Sequence, residues 1–316
     1  MAGQRRLTPN ERRTPVLAAI PKRDANQLPR PAGAASYAPI SGVLALSATV
    51  SVIIPTLNEA GNIPHVFAAL PAWIDEVVIV DGRSADDTVD VARRLRPDVK
   101  VVIQSGFGKG DALLAGFAAS TGDIIVAMDA DGSTDGQEIL RFVTALTAGA
   151  DFVKGSRFAC GGGSDDLTFS RRLGNKFLGA LVNRLFGTNY SDLCYGYNAF
   201  WARHLDTLAL DCAGFEVETL MNIRAAMAGL CVHEVPSFEH RRVYGVSNLR
   251  IVLDGWRIAN VIVREWRSYR RAVRRPDTDL AEVTGLSFAE VLAGRAADTR
   301  PTPRRDAVAS SQQSGQ

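Results

Sequence analysis

The sequence predicts an α/β fold with a mainly parallel β-sheet that is flanked by helices. Two observations support this prediction. Short, unbroken apolar runs, such as residues 50–54 and 124–128, alternate with helical patterns along the first half of the chain. Strands that are buried on both faces have such runs, whereas half-exposed antiparallel strands alternate apolar and polar residues. The repeated β-α-β order then favours parallel strands in one domain.

Five strands and four helices are predicted over the first half of the chain. The strands cover 50–55, 76–81, 99–103, 124–128 and 152–155, and the helices cover 60–70, 84–96, 111–120 and 134–148. Ser84 is the predicted N-cap of the second helix, because two aspartates follow it. Thr134 and Gln137 have the spacing of a capping box. A Gly-rich loop over 160–164 and longer helical stretches, including 215–228, come next.

Composition divides the chain into four parts. Residues 1–48 are rich in Arg, Pro, Ala and Gly without periodicity and are predicted to form a disordered tail. Residues 49–248 form the predicted folded domain, and 249–275 form a basic amphipathic helix. Residues 276–316 are predicted to be mostly disordered, with one short helix over 280–293.

The overall composition excludes several classes of protein. The 316 residues carry a formal net charge of +2, and 22% of them are charged, which gives no nucleic-acid-binding signature. The four cysteines lie far apart, so we expect reduced thiols and no disulfide framework. No apolar run approaches the roughly 20 residues that span a bilayer. The basic N-terminus lacks the apolar segment of a secretory signal.

Acidic side chains follow three of the predicted strands. They are Glu59 after the first strand, Asp81 at the end of the second, and Asp129 and Asp131 after the fourth. A lone Asp-x-Asp is usually only a turn, but the C-terminal ends of parallel strands share one edge of the sheet, where ligands bind. A nucleotide diphosphate with Mg²⁺ or Mn²⁺ fits this pattern, because oxygen ligands suit these ions better than Zn²⁺.

The Gly-rich segment 106–110 (GFGKG) has two interpretations. It is either a flexible turn before the next helix, or an anion site made by Lys109 and the backbone N–H groups of a helix N-terminus. Its spacing is not that of a Walker A loop. A Rossmann fingerprint is also absent after the first strand.

Several segments, in this order, resemble family 2 glycosyltransferases of the GT-A fold. They are 52–59 (VIIPTLNE), 80–88 (VDGRSADDT), 108–110 (GKG) and 129–131 (DAD). Further segments resemble the dolichyl- and polyprenyl-phosphate sugar transferase branch, which includes dolichol-phosphate mannosyltransferases. They are 155–157 (GSR), 192–196 (DLCYG) and 242–249 (RVYGVSNL). The resemblance covers about residues 50 to 250.

The resemblance implies an inverting hexosyltransferase that takes a sugar from a GDP- or UDP-linked donor. The expected donor-binding residues are Pro55, Thr56, Asn58, Glu59, Asp81, Gly82, Ser84, Lys109, Asp129, Ala130 and Asp131. Mg²⁺ or Mn²⁺ would lie on Asp129 and Asp131. Relatives often supply a further metal ligand at the position of Ser133, which is a weaker ligand.

The resemblance also implies a polyprenyl phosphate acceptor. The residues expected to bind acceptor or phosphate are Arg157, Arg171, Arg172, Arg242 and Ser247. The branch usually has a lysine after this serine, whereas this chain has Asn248 and one positive charge fewer. Asp131, Asp192 and Arg157 are the expected catalytic residues.

The acceptor decides whether a general base is needed. A phosphate monoester, with a second pKa of about 6, is largely ionised at neutral pH and attacks without a base. A hydroxyl acceptor needs a carboxylate, for which Asp192, Glu216 and Glu218 are candidates. Asp192 could equally order its loop. The glutamates could favour the start of the helix 215–228, and this is the preferred interpretation for Glu218.

The segment 249–275 raises the question of a membrane surface. Arginines recur every seven residues from Arg250 to Arg271, and Val252, Trp256, Ala259, Val263 and Trp266 form another face. A basic amphipathic helix with tryptophans suits an anionic lipid surface. A terminal helix packed on the core with a solvated Arg face is an equal alternative. We expect a protein at the cytoplasmic face of the membrane that does not span it.

Two other functions fit the same residues. Transfer to a soluble hydroxyl acceptor is favoured by Asn248 and by the missing membrane spans. A non-catalytic nucleotide-sugar-binding protein is disfavoured by the intact Asp-x-Asp at Asp129 and Asp131. The donor base, the sugar and the oligomeric state are not determined by these patterns.

Overall fold

The computed structural model describes residues 48–246 and 249–273, and their strands form one large sheet and one small one. The strands are β1 (Val50–Thr56), β2 (Glu76–Asp81), β3 (Lys100–Ile103), β4 (Ile124–Ala127), β5 (Phe152–Ser156), β6 (Gly163–Ser164), β7 (Asn198–Trp201), β8 (Val232–Pro236) and β9 (Phe238–Glu239). Within the described residues, the large sheet has the order β3-β2-β1-β4-β7-β5-β8, and β6 pairs with β9. The large sheet is parallel except at β7, which runs antiparallel to β4 and β5. The predicted mainly parallel sheet is confirmed.

The helices lie between and after these strands. They are α1 (Ile63–Ala69), α2 (Thr88–Leu95), α3 (Lys109–Ala119), α4 (Ile139–Thr147), α5 (Phe169–Phe186), α6 (Leu205–Leu208), α7 (Val217–Met227) and α8 (Ile251–Val273), with 3₁₀ turns at Gly136–Glu138 and Ala202–His204. Among the described residues, no helix is both long enough and apolar enough to cross a membrane.

Both faces of the sheet are covered, which explains the unbroken apolar strands. Val52 and Ile54 of β1 belong to one core cluster, with residues of α1 and α4. Ile53, which points to the opposite face, belongs to a second cluster with residues of α3 and α7. A third cluster joins α5, α7 and α8 and includes Ile258 and Ile262. This third cluster packs α8 against the rest of the domain.

Two of the predicted helix caps are wrong. Helix α2 begins at Thr88 after Asp87, and Ser84 instead donates its hydroxyl to Oδ1 of Asp81, at 2.6 Å. The predicted capping box fails because Asp135 accepts from the backbone N–H of Gln137 and starts the 3₁₀ turn before α4. Asp81 thus holds the Ser84 side chain, and Asp135 takes the place of Thr134 as the cap.

Helix α8 packs on the domain and leaves its arginines exposed, as one of the two interpretations of its segment predicts. Ile258, Ile262 and Glu265 are buried against the domain, whereas the predicted apolar face that contains Val252 and Trp256 points away from it. The helix therefore packs on the core through a different face from the one that the sequence singled out. Apart from Ala48, the predicted tails over 1–48 and 276–316 lie outside the described residues, as does the short helix over 280–293.

Candidate active site

The C-terminal ends of β1, β2 and β4 border a cavity of about 240 Å³, which we call the strand-end cleft. Strand register aligns these ends, since Thr56 pairs with Asp81 and Ile53 pairs with Ala127. Eight of the predicted donor-binding residues line this cleft: Pro55, Thr56, Glu59, Gly82, Lys109, Asp129, Ala130 and Asp131. The three strand ends lie together, and the carboxylates of Glu59, Asp129 and Asp131 line the cleft, whereas the carboxylate of Asp81 does not.

Three other predicted residues form the loops behind this cleft. The hydroxyl and backbone N–H of Ser84 both donate to the buried carboxylate of Asp81, at 2.6 and 3.0 Å. The backbone N–H of Asn58 donates to the Ser84 hydroxyl, and the Asn58 side chain accepts from Ala85. Asn58 has a φ of 58°, a left-handed conformation that asparagine tolerates better than most residues. These bonds fix the loops after β1 and β2 to each other.

Charged side chains form a row across the strand-end cleft, which we call the charge row. At one end, Arg242 lies 3.4 Å from Glu59 and 2.8 Å from Asp131. At the other end, the ammonium of Lys109 lies 2.5 Å from Asp129 and 2.5 Å from Glu218.

The charge row has excess negative charge. Four carboxylates and two basic groups give a formal charge of −2 when all are ionised. Burial alone would lower the pKa of Lys109, but Asp129 and Glu218 outweigh it and raise the pKa above its ordinary value. Burial raises the pKa of Glu59, against the opposing effects of Asn62 and Arg242. The row therefore attracts a further cation.

The turn after β4 presents Asp131 to the cleft. Gly132 has a φ of 75°, which glycine adopts without strain, and this turn lets the backbone N–H of Ser133 donate to Asp131 at 3.0 Å. Within the described ranges, no group of three or more His, Cys, Asp or Glu side chains could hold a metal ion. Asp129 and Asp131 offer two carboxylate ligands. This suits Mg²⁺ or Mn²⁺, whose remaining ligands would be water molecules and phosphate oxygens.

Gly196 makes the contact between Lys109 and its partners possible. A Cβ on Gly196 would lie 2.6 Å from the Lys109 ammonium, 2.7 Å from Glu218 and 3.0 Å from Asp129. Any side chain at this position would force the Lys109 ammonium and the Glu218 carboxylate to move. The close approach of these charged groups accounts for a glycine at the end of the segment 192–196.

A second cavity, of about 180 Å³, lies between α5 and α8 and meets the first; we call it the α5–α8 cleft. Arg242 and Phe215 line both cavities. Two further basic residues, Arg157 and Arg171, line the α5–α8 cleft together with Glu218. Its other walls are largely apolar and include Leu167, Leu178, Leu249, Ile251 and Ile258.

Asp192 is not on the surface of either cleft. It is fully buried, and its two oxygens accept from Arg157 at 2.7 and 2.9 Å and from Asn175 at 3.0 Å. Burial would raise the pKa of Asp192, but the hydrogen bonds and charge of Arg157 lower it overall. Arg157 also pairs with Glu239 and lies over the ring of Tyr195. The structure therefore brings Arg157 to the α5–α8 cleft and leaves Asp192 behind it.

The other expected acceptor residues have different positions. Arg171 pairs with Asp166 at 3.2 Å beside the α5–α8 cleft, whereas the exposed Arg172 stacks on Phe158. Ser247 and Asn248 lie outside the described residues. Glu218 lies in the first turn of α7, as its preferred interpretation predicts, and it also contacts Lys109 and lines the α5–α8 cleft.

Comparison with known proteins gives the family. Residues 51–209 match the model of the glycosyl transferase family 2. The chain is 30% identical to the glycosyltransferase AglJ of Haloferax volcanii over 78% of each protein. It is 32% identical to the undecaprenyl-phosphate mannosyltransferase of Micrococcus luteus, over 70% of this chain and 97% of that protein.

A solved structure supports the fold independently. Glucosyl-3-phosphoglycerate synthase from Mycobacterium tuberculosis, in complex with Mn²⁺, UDP and phosphoglyceric acid, matches with a TM-score of 0.55 and 22% identity. The match covers 70% of this chain and 79% of that one. The chain therefore belongs to glycosyltransferase family 2, has the GT-A fold, and is similar within the family to the polyprenyl-phosphate sugar transferase branch.

Proposed function

We propose that the protein is an inverting, metal-dependent glycosyltransferase that transfers a hexose from a GDP- or UDP-sugar to a polyprenyl phosphate. One observation carries this proposal. The acidic strand-end cleft shares Arg242 and Phe215 with a second cleft, which is lined by further basic groups and by apolar side chains. A sugar diphosphate suits the first cleft, and a phosphate on a hydrocarbon chain suits the second.

The donor half of the proposal rests on Asp129 and Asp131. Their carboxylates would hold Mg²⁺ or Mn²⁺, and the solved M. tuberculosis relative contains Mn²⁺ and UDP. The ion, when bound, would stabilise the negative charge of the leaving diphosphate. Lys109 and Arg242 lie beside these carboxylates and would add positive charge at the same place. Asp81 would stabilise the loop that receives the nucleoside.

The acceptor half rests on the apolar surroundings of the α5–α8 cleft. Exposed apolar side chains flank it, on α5 at helical spacing and at the start of α8; we call them the apolar rim. They are Phe169, Leu173, Phe177, Val252 and Trp256. Phe169 is 82% exposed and Val252 is 86% exposed. Such a rim, with Arg172 and Arg257 beside it, suits the boundary of an anionic bilayer.

The mechanism follows from the charge of the acceptor. An oxygen of the lipid phosphate attacks the anomeric carbon, the bond from this carbon to the diphosphate breaks, and the nucleoside diphosphate leaves with the electron pair. A phosphate with a second pKa of about 6 needs no general base. Asp192 is therefore proposed to position Arg157, which faces the acceptor, and not to take a proton. Direct attack inverts the anomeric configuration.

These parts imply a location at the cytoplasmic face of a membrane, where nucleotide sugars are available. The M. luteus relative, which is named for undecaprenyl phosphate, supports a lipid phosphate acceptor for this chain too. The apolar rim would contact the bilayer while the strand-end cleft stays in water. The domain would then act on the membrane surface.

The proposal is tested by following the labelled sugar. The full-length protein is incubated with labelled GDP- and UDP-sugars and Mn²⁺, with and without undecaprenyl phosphate in detergent. We expect label in the organic phase only when one of these donors and the lipid phosphate are both present. The product should have the anomeric configuration opposite to that of the donor. Water-soluble product from cell extract, with none from lipid phosphate, would overturn the lipid acceptor in favour of a soluble hydroxyl.

A further inference from the structure

Lys109 is shared between two carboxylates that lie in different clefts. Its ammonium is 2.5 Å from Oδ1 of Asp129 and 2.5 Å from Oε1 of Glu218. Gly196 closes a third side, since even a Cβ there would lie 2.6 Å from the ammonium nitrogen. The ammonium therefore cannot move toward Gly196, but it contacts both carboxylates at once. It can leave Asp129 and still keep an ion pair.

Arg242 has the same arrangement at the other aspartate. Its guanidinium lies 2.8 Å from Oδ2 of Asp131 and 3.4 Å from Oε1 of Glu59. It belongs to the segment after β9, which the N–H of Val243 ties to the carbonyl of Asp131 at 3.2 Å. A small movement toward Glu59 would keep Arg242 paired while it frees an oxygen of Asp131.

A divalent cation on the two aspartates conflicts with the contacts that these side chains now make. Like charges at contact distance in a partly buried site repel strongly, and the side chains of Lys109 and Arg242 are only 12% and 21% exposed. The charge row nevertheless has a formal charge of −2, which a divalent cation would neutralise. The row can hold the ion if its two basic groups move to their second partners.

We propose that Lys109 and Arg242 are resident counterions of the two aspartates, which they give up to the divalent cation by moving onto their glutamate partners. This inference rests on the metal site of the proposed function and adds an order of events. The two aspartates bind the cation weakly while their basic partners stay in place. A diphosphate attracts the released side chains, so nucleotide and cation strengthen each other's binding equally.

The first test is isothermal titration calorimetry, in which Mn²⁺ alone is titrated into the full-length protein. We expect Lys109→Met and Arg242→Met to bind Mn²⁺ about fivefold or more tightly than the wild type, a typical size for coupling between sites. Arg242 lies in a partly exposed segment, so its variant tests the inference even if Lys109→Met does not fold. Arg171→Met is the control, because Arg171 lines the α5–α8 cleft and pairs with Asp166. It should change Mn²⁺ affinity less than about twofold.

A double-mutant cycle separates exchange from a general effect of charge. Glu218→Gln removes the second partner of Lys109, so it should weaken Mn²⁺ binding in the wild type and have little effect when Lys109 is already Met. Additive effects of the two changes, or equal Mn²⁺ affinities of the wild type and both cation variants, would overturn the exchange.

Addition of UDP or GDP distinguishes this inference from the proposed function. The wild type should gain more Mn²⁺ affinity from the nucleotide than Lys109→Met does, because only the wild type can turn this ammonium toward the phosphates. The exchange alone would be overturned if the wild type binds Mn²⁺ with nucleotide but the two cation variants bind Mn²⁺ alone no more tightly than the wild type does. A wild type that binds no Mn²⁺ even with UDP or GDP would overturn the metal site and the exchange together.

Discussion

Arg157 and Asp192 form a two-point ion pair in the protein interior. Nε of Arg157 donates to Oδ2 at 2.7 Å and Nη2 donates to Oδ1 at 2.9 Å, and both side chains are nearly or fully buried. The carboxylate holds the arginine over the ring of Tyr195, and both residues line the α5–α8 cleft. The pair thus links the stability of the fold to the position of a basic group in the cleft.

Loss of this carboxylate should destabilise the protein strongly. We expect Asp192→Asn to lower the free energy of unfolding by about 3 kcal/mol at pH 7, because the buried Arg157 loses its two-point partner and keeps only its pair with Glu239. Urea denaturation measures this difference. Asp166→Asn is the matched control, since its pair with Arg171 is partly exposed, and it should cost less than about 1 kcal/mol. Equal costs would contradict the structural role of Asp192.

The same pair should give a characteristic pH dependence. The folded-state pKa of Asp192 lies below its ordinary value of 3.8, because the bonds and charge of Arg157 outweigh the effect of burial. The pair therefore stabilises the fold above pH 3.8, and this contribution is lost as the pH falls through the lower folded-state pKa. The stability difference between wild type and Asp192→Asn should be constant near neutral pH and shrink below pH 3.8. A constant difference down to lower pH would contradict this assignment.

A methyl group at Gly196 should disrupt the charge row. We expect Gly196→Ala to lower turnover about tenfold or more, because its Cβ would lie 2.6 Å from the Lys109 ammonium and displace it. The control is Gly179→Ala on α5, where a Cβ would make an ordinary contact of 3.9 Å with Leu193. The control should keep its rate and its melting temperature. Unchanged turnover in Gly196→Ala would show that the position of Lys109 is unimportant.

The apolar rim should bind membranes. We expect the double change Phe169→Asn/Phe177→Asn to weaken binding to vesicles with anionic lipid about tenfold or more, because two large exposed apolar groups are lost. Vesicle flotation measures this. Leu95→Asn/Leu140→Asn removes two exposed leucines from α2 and α4, away from the clefts, and should leave binding unchanged. Equal losses in both proteins would contradict a specific membrane surface.

The parallel part of the sheet could be predicted because each of its strands is a local apolar run. Strand β7, Asn198–Trp201, was not predicted, since its four residues have no distinctive pattern and it is defined by antiparallel partners far away in the sequence. The helix caps failed for a related reason. Ser84 and Thr134 are good caps in isolation, but the Ser84 hydroxyl bonds to Asp81 and Asn58 instead, and Asp135 accepts the bond from Gln137 that Thr134 was predicted to accept.

Site residues could be predicted where they lie close together within one segment of the sequence. The two aspartates after β4 and the acidic strand ends follow from the order of the strands alone. The contact between Lys109 and Glu218 could not, because it joins residues 109 positions apart and depends on how α7 packs beside α3. The burial of Asp192 was also hidden, since its arginine and asparagine partners come from two other segments.

The most direct test of the proposed reaction compares two aspartates four positions apart. The measurement is the initial rate of lipid-linked product, from a nucleotide sugar and undecaprenyl phosphate with Mn²⁺, for Asp131→Asn and Asp135→Asn. Asp131 lines the strand-end cleft, whereas Asp135 accepts from Gln137 at the start of a helical turn. We expect Asp131→Asn to lose about 10²-fold or more in rate, and Asp135→Asn to stay within about threefold of the wild type. A wild-type rate in Asp131→Asn would contradict metal-dependent transfer at this site.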